Sequence, residues 1–206
     1  MKNNEWYKIT GQSMAVFMRD AGFDLTVYDG YVETVQDEAR KAAIKEAMFS
    51  LSWEFENDTG AELSDIKRGV YVISIANGLS IKYEKKRSSV IYIGIGNICS
   101  RIKQHYEVKL FEFMKSLSGV EFNFHIAEPK KPRYRNDDYH KSVEYHMLER
   151  FKEEYGRYPL MNKNSGSDKG IGEEDRWWRK PLKASGQKIY WEISPTAASD
   201  FKGGLD

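Results

Sequence analysis

The stretch of residues 69–94, GVYVISIANGLSIKYEKKRSSVIYIG, decides the fold of this chain. It opens with Gly69-Val70-Tyr71 and closes with Tyr92-Ile93-Gly94. Each string belongs to a β-branched run that is too short for a helix, so we expect strands over Gly69–Ile75 and Val90–Ile95. Turn residues and cations stand between the two runs, which predicts a hairpin with a basic tip. The cations of this tip are Lys82, Lys85, Lys86 and Arg87.

The pattern after this hairpin predicts two helices, a strand and a third helix. Asn97 can cap a helix that runs to about Tyr106. A second helix covers roughly Val108–Leu117, and Val120–Ala127 alternates apolar with polar residues, as a half-buried strand does. A basic segment then precedes a helix over Tyr139–Tyr155.

Polar residues at set distances from the two strings complete the pattern. Arg101 follows Gly94 in the next helix, His105 lies one helical turn further, and Pro159 and Asn162 follow the last helix. With both strings, in this order, the chain resembles the GIY-YIG nuclease family over about residues 67–165. The long hairpin between the strings is similar to that of the family's restriction-enzyme branch. The resemblance implies an α+β fold in which helices flank a small central antiparallel or mixed β-sheet.

Charge divides the chain into unlike parts. Residues 1–66 hold 6 Lys and Arg against 13 Asp and Glu, a net charge of −7, whereas residues 67–206 hold 26 against 18, a net charge of +8. We therefore expect an acidic N-terminal extension over 1–66, a nuclease core over 67–165 and a C-terminal segment over 166–206. The positive charge beside the motifs suits a phosphate-binding surface, and a solvated basic face is the alternative.

Both flanking parts contain further predicted elements. In the extension we expect a short amphipathic helix over Ser13–Gly22, a hairpin over Leu25–Val32 that turns at Asp29-Gly30, and a longer helix over Gln36–Glu54. In the C-terminal segment, residues 188–194 predict one more strand.

Two tyrosines are the first candidates for catalysis. Tyr71 and Tyr92 lie on adjacent predicted strands, near the strand ends, where their hydroxyls can meet. The resemblance places both in the catalytic site, one of them near the attacking water. A tyrosine has an unperturbed pKa of about 10, so it can act as a base at neutral pH only beside a cation or a proton acceptor. The alternative is that both are packed strand tyrosines.

The helix after the second strand supplies two more candidates. Arg101 and His105 stand four residues apart and therefore share one helix face. A guanidinium there can brace a phosphate bidentately, and the imidazole can relay a proton or assist Tyr71. The resemblance assigns both residues to the catalytic site. A solvated helix face is the alternative, more so for His105 than for Arg101.

The last helix contains the candidate metal ligand. Glu144 lies on its apolar side, four residues before Leu148 and seven before Phe151. A carboxylate on an inward face needs a partner, and a divalent metal is one. The resemblance implies that Glu144 binds Mg²⁺ or Mn²⁺ and that Asn162 closes the site beside it. Glu149 is the second candidate for the metal ligand. The alternative for Asn162 is an ordinary helix-exit loop.

The composition excludes several classes of protein. No apolar run is long enough for a membrane span or forms a signal peptide, so we expect a soluble cytoplasmic protein. Cys99 is the only cysteine, which rules out an internal disulfide and a multi-cysteine zinc site.

These observations predict one principal function and leave two alternatives. We expect a metal-dependent endonuclease that hydrolyses DNA phosphodiester bonds, in the manner of a small restriction or phage-related enzyme, with a homodimer as an option. The alternatives are a non-catalytic DNA-binding module and a protein-interaction subunit. Trp177 and Trp178 either grip DNA or fold onto the core, and large aromatic side chains favour the second. The DNA-binding rim is expected to combine the basic tip with a second cluster made of Lys130, Lys131, Arg133 and Arg135.

Overall fold

The computed structural model describes residues 2–76, 78–117, 119–130, 138–169 and 176–182, and the backbone of Trp191–Ile193. Its strands are β1 (Tyr7–Gly11), β2 (Gly69–Ile75), β3 (Leu79–Lys82), β4 (Arg87–Ser88), β5 (Val90–Gly96), β6 (Phe122–Ala127) and β7 (Trp191–Ile193). Its helices are α1 (Met14–Asp20), α2 (Glu33–Thr59), α3 (Ile98–His105), α4 (Phe111–Ser116) and α5 (Tyr139–Tyr155). Turns of 3₁₀ helix cover Leu25–Gly30, Leu63–Asp65 and Trp177–Leu182, and a π-helical turn covers Tyr106–Leu110.

The main sheet is small, antiparallel and flanked by helices, which confirms the predicted α+β class. Its strand order is β1-β6-β2-β5. The two strands that carry the Gly-Val-Tyr and Tyr-Ile-Gly strings are direct neighbours, so that Tyr71 pairs with Gly94 and Ile73 pairs with Tyr92. Since side chains alternate along a strand, Tyr71 and Tyr92 emerge on the same face of the sheet.

Helices cover both faces of this sheet. Every residue of β2 is buried, as expected for a central strand with helices on both sides. On the face of Tyr71, ring contacts join Phe55 of α2 to Tyr7, and Phe113 of α4 to Phe122. The helix α5 packs against β5 and β2. Its bounds are those that the sequence predicts.

The start of the acidic extension belongs to the same sheet. β1 pairs with β6 along its whole length, from Tyr7 opposite Ile126 to Gly11 opposite Phe122. The buried residues of α1 and α2 join one core cluster with those of the sheet. The boundary at residue 66 stays a prediction from composition, but the extension supplies an edge strand to the core.

A second, smaller sheet forms from two strands between the two strings and one strand of the C-terminal segment. Its order is β4-β3-β7, with β3 antiparallel to β4 and parallel to β7. The strand predicted over residues 188–194 is therefore present at Trp191–Ile193, and the rest of that range lies outside the described residues. The basic tip turns between β3 and β4.

The hairpin predicted over Leu25–Val32 is wrong, because residues 25–30 form a 3₁₀ helix. The Asp24 carboxylate caps this helix by accepting a hydrogen bond from the backbone N–H of Thr26 at 2.8 Å. Tyr28 packs its ring 5.4 Å from that of Phe111 and is only 6% exposed. Capping and burial of an aromatic side chain thus override the local turn preference of Asp29-Gly30.

The long helix α2 extends beyond its predicted range at both ends. It begins at Glu33 and ends where Gly60 adopts a left-handed conformation with φ of 67°, which glycine takes without strain. Among the helices of the described residues, none combines the length and the apolar character that crossing a membrane requires.

Candidate functional site

Tyr71, Tyr92 and His105 form one buried cluster. The Tyr71 hydroxyl oxygen lies 2.8 Å from Nε2 of His105. The Tyr92 ring centroid lies 4.2 Å from that of His105 and 5.8 Å from that of Tyr71. The strand pairing brings the two tyrosines together, and α3, capped by the Asn97 side chain at the backbone N–H of Ser100, brings the histidine to them.

Glycine at position 94 makes this cluster possible. A Cβ atom there would lie 2.8 Å from the Tyr71 hydroxyl oxygen and 2.5 Å from Cε1 of Tyr92. Real Cβ atoms do not make contacts this short, so any side chain at position 94 would displace one of the two rings. The last letter of the Tyr-Ile-Gly string is therefore explained by the space that the two phenol rings need.

Both partners of the short hydrogen bond are neutral at pH 7. Burial, followed by the charges of Lys109 and Arg101, lowers the pKa of His105 to about 4. Burial and the neighbouring Tyr92 raise the pKa of Tyr71, although Arg101 opposes the shift. A protonated tyrosine beside a neutral imidazole can donate its O–H to Nε2. Tyr71 thus has the proton acceptor that a catalytic tyrosine needs.

Arg101 faces the two phenols and has an unpartnered donor. Its Nη1 donates to Oε1 of Gln104 at 2.8 Å. Its Nε is buried and has no hydrogen-bond partner among the described residues. Burial opposes the charge on this guanidinium, but Tyr71 and Tyr92 outweigh burial and raise its pKa. A charged donor left without a partner in a buried position can accommodate an anionic ligand.

Glu144 is the carboxylate of the site. Burial raises its pKa to about 7, and the positive charge of Arg101 opposes this rise. A Cβ atom at Gly166 would lie 3.3 Å from Oε2 of Glu144, so the chain after α5 passes directly over the carboxylate. In the described part of the chain, no hydrogen bond or ion pair engages it. Glu144 is therefore a half-buried carboxylate without a partner among the described residues.

Glu149, the runner-up for metal binding, has another partner. Oε1 of Glu149 accepts a hydrogen bond from the Tyr158 hydroxyl at 2.6 Å. Five residues along an α-helix correspond to about 140° of rotation, so the carboxylates of Glu149 and Glu144 point in different directions. Within the described residues, no three His, Cys, Asp or Glu side chains converge on a common point that could hold a metal.

Asn162 contacts the backbone of β5. Its Oδ1 accepts from the N–H of Ile93 at 2.9 Å, and its Nδ2 donates to the carbonyl of Ile93 at 2.8 Å. The N–H of the preceding Met161 donates to the carbonyl of Ile91 at 2.9 Å. Both polar atoms of the side chain are thus engaged by the strand that carries Tyr92, and a role of Asn162 in catalysis stays a prediction.

Two lysines that the sequence did not single out, Lys109 and Lys163, also lie at the site. Nζ of Lys109 lies 5.4 Å from the centroid of the Tyr92 ring and donates to the carbonyl of Met161 at 3.2 Å. Burial, Lys163 and Arg101 together lower the pKa of Lys109, so the three cations share one region. In the described part of the chain, none of the three forms an ion pair with a carboxylate. Such a cluster suits phosphate.

The π-helical turn explains why the spacing of residues in the sequence did not point to Lys109. The turn begins directly after His105 and carries i→i+5 hydrogen bonds, which include that from the N–H of Phe111 to the carbonyl of Tyr106. It changes the helical period between His105 and Lys109, so spacing rules for an α-helix do not apply there. Lys163 follows Asn162 in a loop, where no period exists.

The predicted DNA-binding rim is only partly described. The backbone N–H of Lys85 donates to the carbonyl of Tyr155 at 3.1 Å, its Nζ donates to that of Glu153 at 3.0 Å, and Lys86 pairs with Glu154 at 3.1 Å. The basic tip therefore docks on the C-terminus of α5, with Lys82 and Arg87 exposed beside it. Lys130 pairs with Glu128 at 3.1 Å. The remaining residues of the second cluster lie outside the described part: Lys131, Arg133 and Arg135.

The two tryptophans of the C-terminal segment fold onto the core. Trp178 is 2% exposed and stacks on His146 with ring centroids 6.3 Å apart. Nε1 of Trp177 donates to the Tyr139 hydroxyl at 3.3 Å, and its carbonyl accepts from Nε1 of Trp6. The favoured expectation for this pair is confirmed.

Comparison of the chain with protein-family models, with curated proteins and with solved structures finds no significant match.

Proposed function

We propose that this protein is a metal-dependent endonuclease of the GIY-YIG type that hydrolyses DNA phosphodiester bonds, as a restriction or phage-related enzyme does. The observation that carries the proposal is the convergence of Arg101, Glu144 and the Tyr71–His105 pair. These side chains come from three elements, β2, α3 and α5, and each is at least partly buried. Perturbed titratable groups gathered in this way mark candidate catalytic sites.

Arg101 would bind the scissile phosphate. Its Nε lacks a partner among the described residues, and its charge faces two phenols and one carboxylate. A phosphoryl oxygen in that position receives a charge-assisted hydrogen bond, and the guanidinium stabilises the negative charge that grows there during hydrolysis. Lys109 and Lys163 extend the same positive region and would hold the neighbouring phosphate.

Tyr71 and His105 would remove the proton of the attacking water. The Tyr71 oxygen accepts this proton while its own proton passes to Nε2 of His105, 2.8 Å away. The water oxygen then forms the new bond to phosphorus as the ester oxygen leaves. Since Lys109 and Arg101 help to lower the pKa of His105, a bound phosphate beside them offsets their charge and strengthens the imidazole as a base.

Glu144 would hold the divalent metal. A half-buried carboxylate without a hydrogen-bond donor among the described residues fits Mg²⁺ or Mn²⁺, because Mg²⁺ commonly takes one or two protein carboxylates and fills its other positions with water and substrate phosphate. A bound metal would supply positive charge to the phosphoryl oxygens. Because the charge of Arg101 acts on Glu144, a metal held there and the guanidinium would both supply positive charge to the substrate phosphate.

The test is the formation of new DNA ends. Genomic DNA, which contains every short sequence, is incubated with the full chain and Mg²⁺ or Mn²⁺, or with EDTA, and the ends are counted by sequencing. We expect cleavage only with metal, and a loss of about 10²–10³-fold in Arg101→Gln. Lys103→Gln, a matched change on an exposed position of the same helix, should cut normally. Absence of metal-dependent ends with the wild type would refute the proposal.

A further inference from the structure

The long helix α2 exposes a stripe with two large aromatic side chains. Phe49 is 67% exposed and Trp53 is 59% exposed. They are four residues apart and therefore lie about 40° from each other around the helix. The buried side of α2 is separate and carries Ala39, Ala43, Ala47, Leu51 and Phe55. Two adjacent exposed aromatics on one helix form an apolar patch, and such patches are typical of surfaces that bind a partner.

Charged residues continue this stripe in both directions. Lys45 precedes Phe49 by one turn, and Glu56 follows Trp53 by nearly one turn. On an ideal helix, all four residues fall within an arc of about 80°. Lys45 and Glu56 are exposed, and in the described part of the chain neither side chain forms an ion pair. The stripe therefore carries a cation at one end, an anion at the other and two aromatics between them.

We propose that this stripe, Lys45 to Glu56, is the interface of a homodimer in which two copies of α2 pack antiparallel. A two-fold axis between Phe49 and Trp53 sets Phe49 of one copy against Trp53 of the second copy, twice. It also brings Lys45 of one copy to within one residue, about 1.5 Å along the axis, of Glu56 of the second copy. The same surface of each copy thus supplies both halves of the interface.

Charge decides the direction of packing and the occupant. A parallel pair would set Lys45 against Lys45 and Glu56 against Glu56, which is repulsive. DNA is disfavoured on this surface, because residues 1–66 carry a net charge of −7. The seam of one helix is small among protein interfaces, so the dimer should be reversible and concentration-dependent. This inference does not depend on nuclease activity.

Sedimentation equilibrium of the full chain, without DNA or metal, tests the proposal. We expect a monomer–dimer equilibrium that Phe49→Ala or Trp53→Ala weakens by about tenfold or more. Val32→Ala removes another exposed apolar side chain, at the N-terminal boundary of α2, and should leave the equilibrium unchanged. The far-ultraviolet circular dichroism of all variants should match the wild type, because the changed side chains are exposed.

Charge reversal then tests the antiparallel register. Lys45→Glu and Glu56→Lys should each weaken the dimer, and the double variant Lys45→Glu with Glu56→Lys should return it to the wild-type strength. A chain that stays monomeric at all concentrations, or a dimer that is indifferent to Phe49→Ala and Trp53→Ala, overturns the proposed interface. A double variant no stronger than either single variant overturns the antiparallel pairing.

Discussion

The hydroxyl oxygen of Tyr71 and Nε2 of His105 lie 2.8 Å apart in a buried part of the protein. Burial disfavours charge on either side chain, so the pair rests with both groups neutral. A proton can pass between them without a change in their distance. The arrangement allows proton transfer but also suits a tyrosine that only packs, and the two roles can be told apart by measurement.

Removing the Tyr71 hydroxyl should affect turnover far more than stability. We expect Tyr71→Phe to slow cleavage by about 10²–10⁴-fold, the usual contribution of a positioned acid or base, and to cost about 1 kcal/mol in the free energy of unfolding. Tyr155→Phe is the matched control, because Tyr155 is fully buried and its hydroxyl donates to the carbonyl of Leu182 at 3.0 Å, outside the cluster. It should show a similar loss of stability with full activity. Equal single-turnover rates for Tyr71→Phe and the wild type would contradict the relay.

Glu144→Gln should abolish cleavage and stabilise the protein above pH 7. The pKa of Glu144 is about 7 in the folded protein and about 4.5 when the side chain is exposed. Between pH 4.5 and 7 the folded protein therefore binds a proton that the unfolded chain releases. The free energy of unfolding therefore falls as the pH rises from about 4.5 through 7, and glutamine removes a cost on the order of 1–3 kcal/mol. Urea unfolding at pH 5 and pH 8 measures this difference.

The same variant distinguishes the two candidate metal ligands. Mg²⁺ should raise the melting temperature of the wild type but not that of Glu144→Gln. Glu149→Gln should retain the response to Mg²⁺ and the cleavage activity, and should lose stability because Tyr158 loses its acceptor. If Glu149→Gln cannot cut and Glu144→Gln can, the metal site lies further along α5.

Two histidines, the buried His105 and the half-buried His125, should make the protein sensitive to acid. Burial, with nearby cations, lowers the pKa of both His105 and His125 to about 4, from about 6.5. The unfolded chain takes up these protons below about pH 6.5, whereas the folded protein resists until about pH 4, so stability is lost across that interval as the pH falls. Each histidine accounts for roughly 3 kcal/mol at most.

Glutamine at either histidine position should flatten the pH dependence of stability between pH 6.5 and 4. The two variants should differ in activity at pH 7.5, since only His105 contacts Tyr71. We expect normal cleavage in His125→Gln and a large loss in His105→Gln. Equal activity in both variants would remove His105 from the proposed mechanism.

The salt dependence of DNA binding should show which lysines and arginines of the protein neutralise phosphates. Replacing Lys109 and Lys163 by glutamine should reduce the slope of log K against log salt by about 0.9 for each phosphate that is no longer neutralised. Neutralising the four cations of the basic tip should do the same if the tip grips DNA, although Lys85→Gln also removes a donor to the C-terminus of α5. An unchanged slope in the tip variant, with a reduced slope in the lysine pair, would confine DNA to the catalytic side.

The elements of the core could be predicted because their patterns are local and strong. The β-branched runs around Tyr71 and Tyr92 and the amphipathic helix α5 appear where the sequence predicts them. The antiparallel pairing then follows, and with it the meeting of the two phenols. The residues near Leu25 do not follow their local turn signal, because packing against Phe111, distant in sequence, outweighs it.

The other contacts of the site could not be predicted, because the spacing of residues along the sequence does not indicate them. Lys109 reaches Tyr92 through a π-helical turn, and Lys163 reaches the same region from a loop. The stacking of Trp178 on His146 joins segments from different parts of the chain. The unpartnered Nε of Arg101 becomes visible only when its surroundings are known.

The hydrogen bonds between Asn162 and Ile93 have a consequence for solubility. β5 is the last strand in the order of the main sheet, and such a strand presents free N–H and carbonyl groups to which another chain can add. The Asn162 amide occupies one such pair, and Met161 occupies the carbonyl of Ile91. The loop after α5 thus protects this edge of the sheet against edge-to-edge aggregation, so loss of Asn162 should make the folded protein more prone to precipitate.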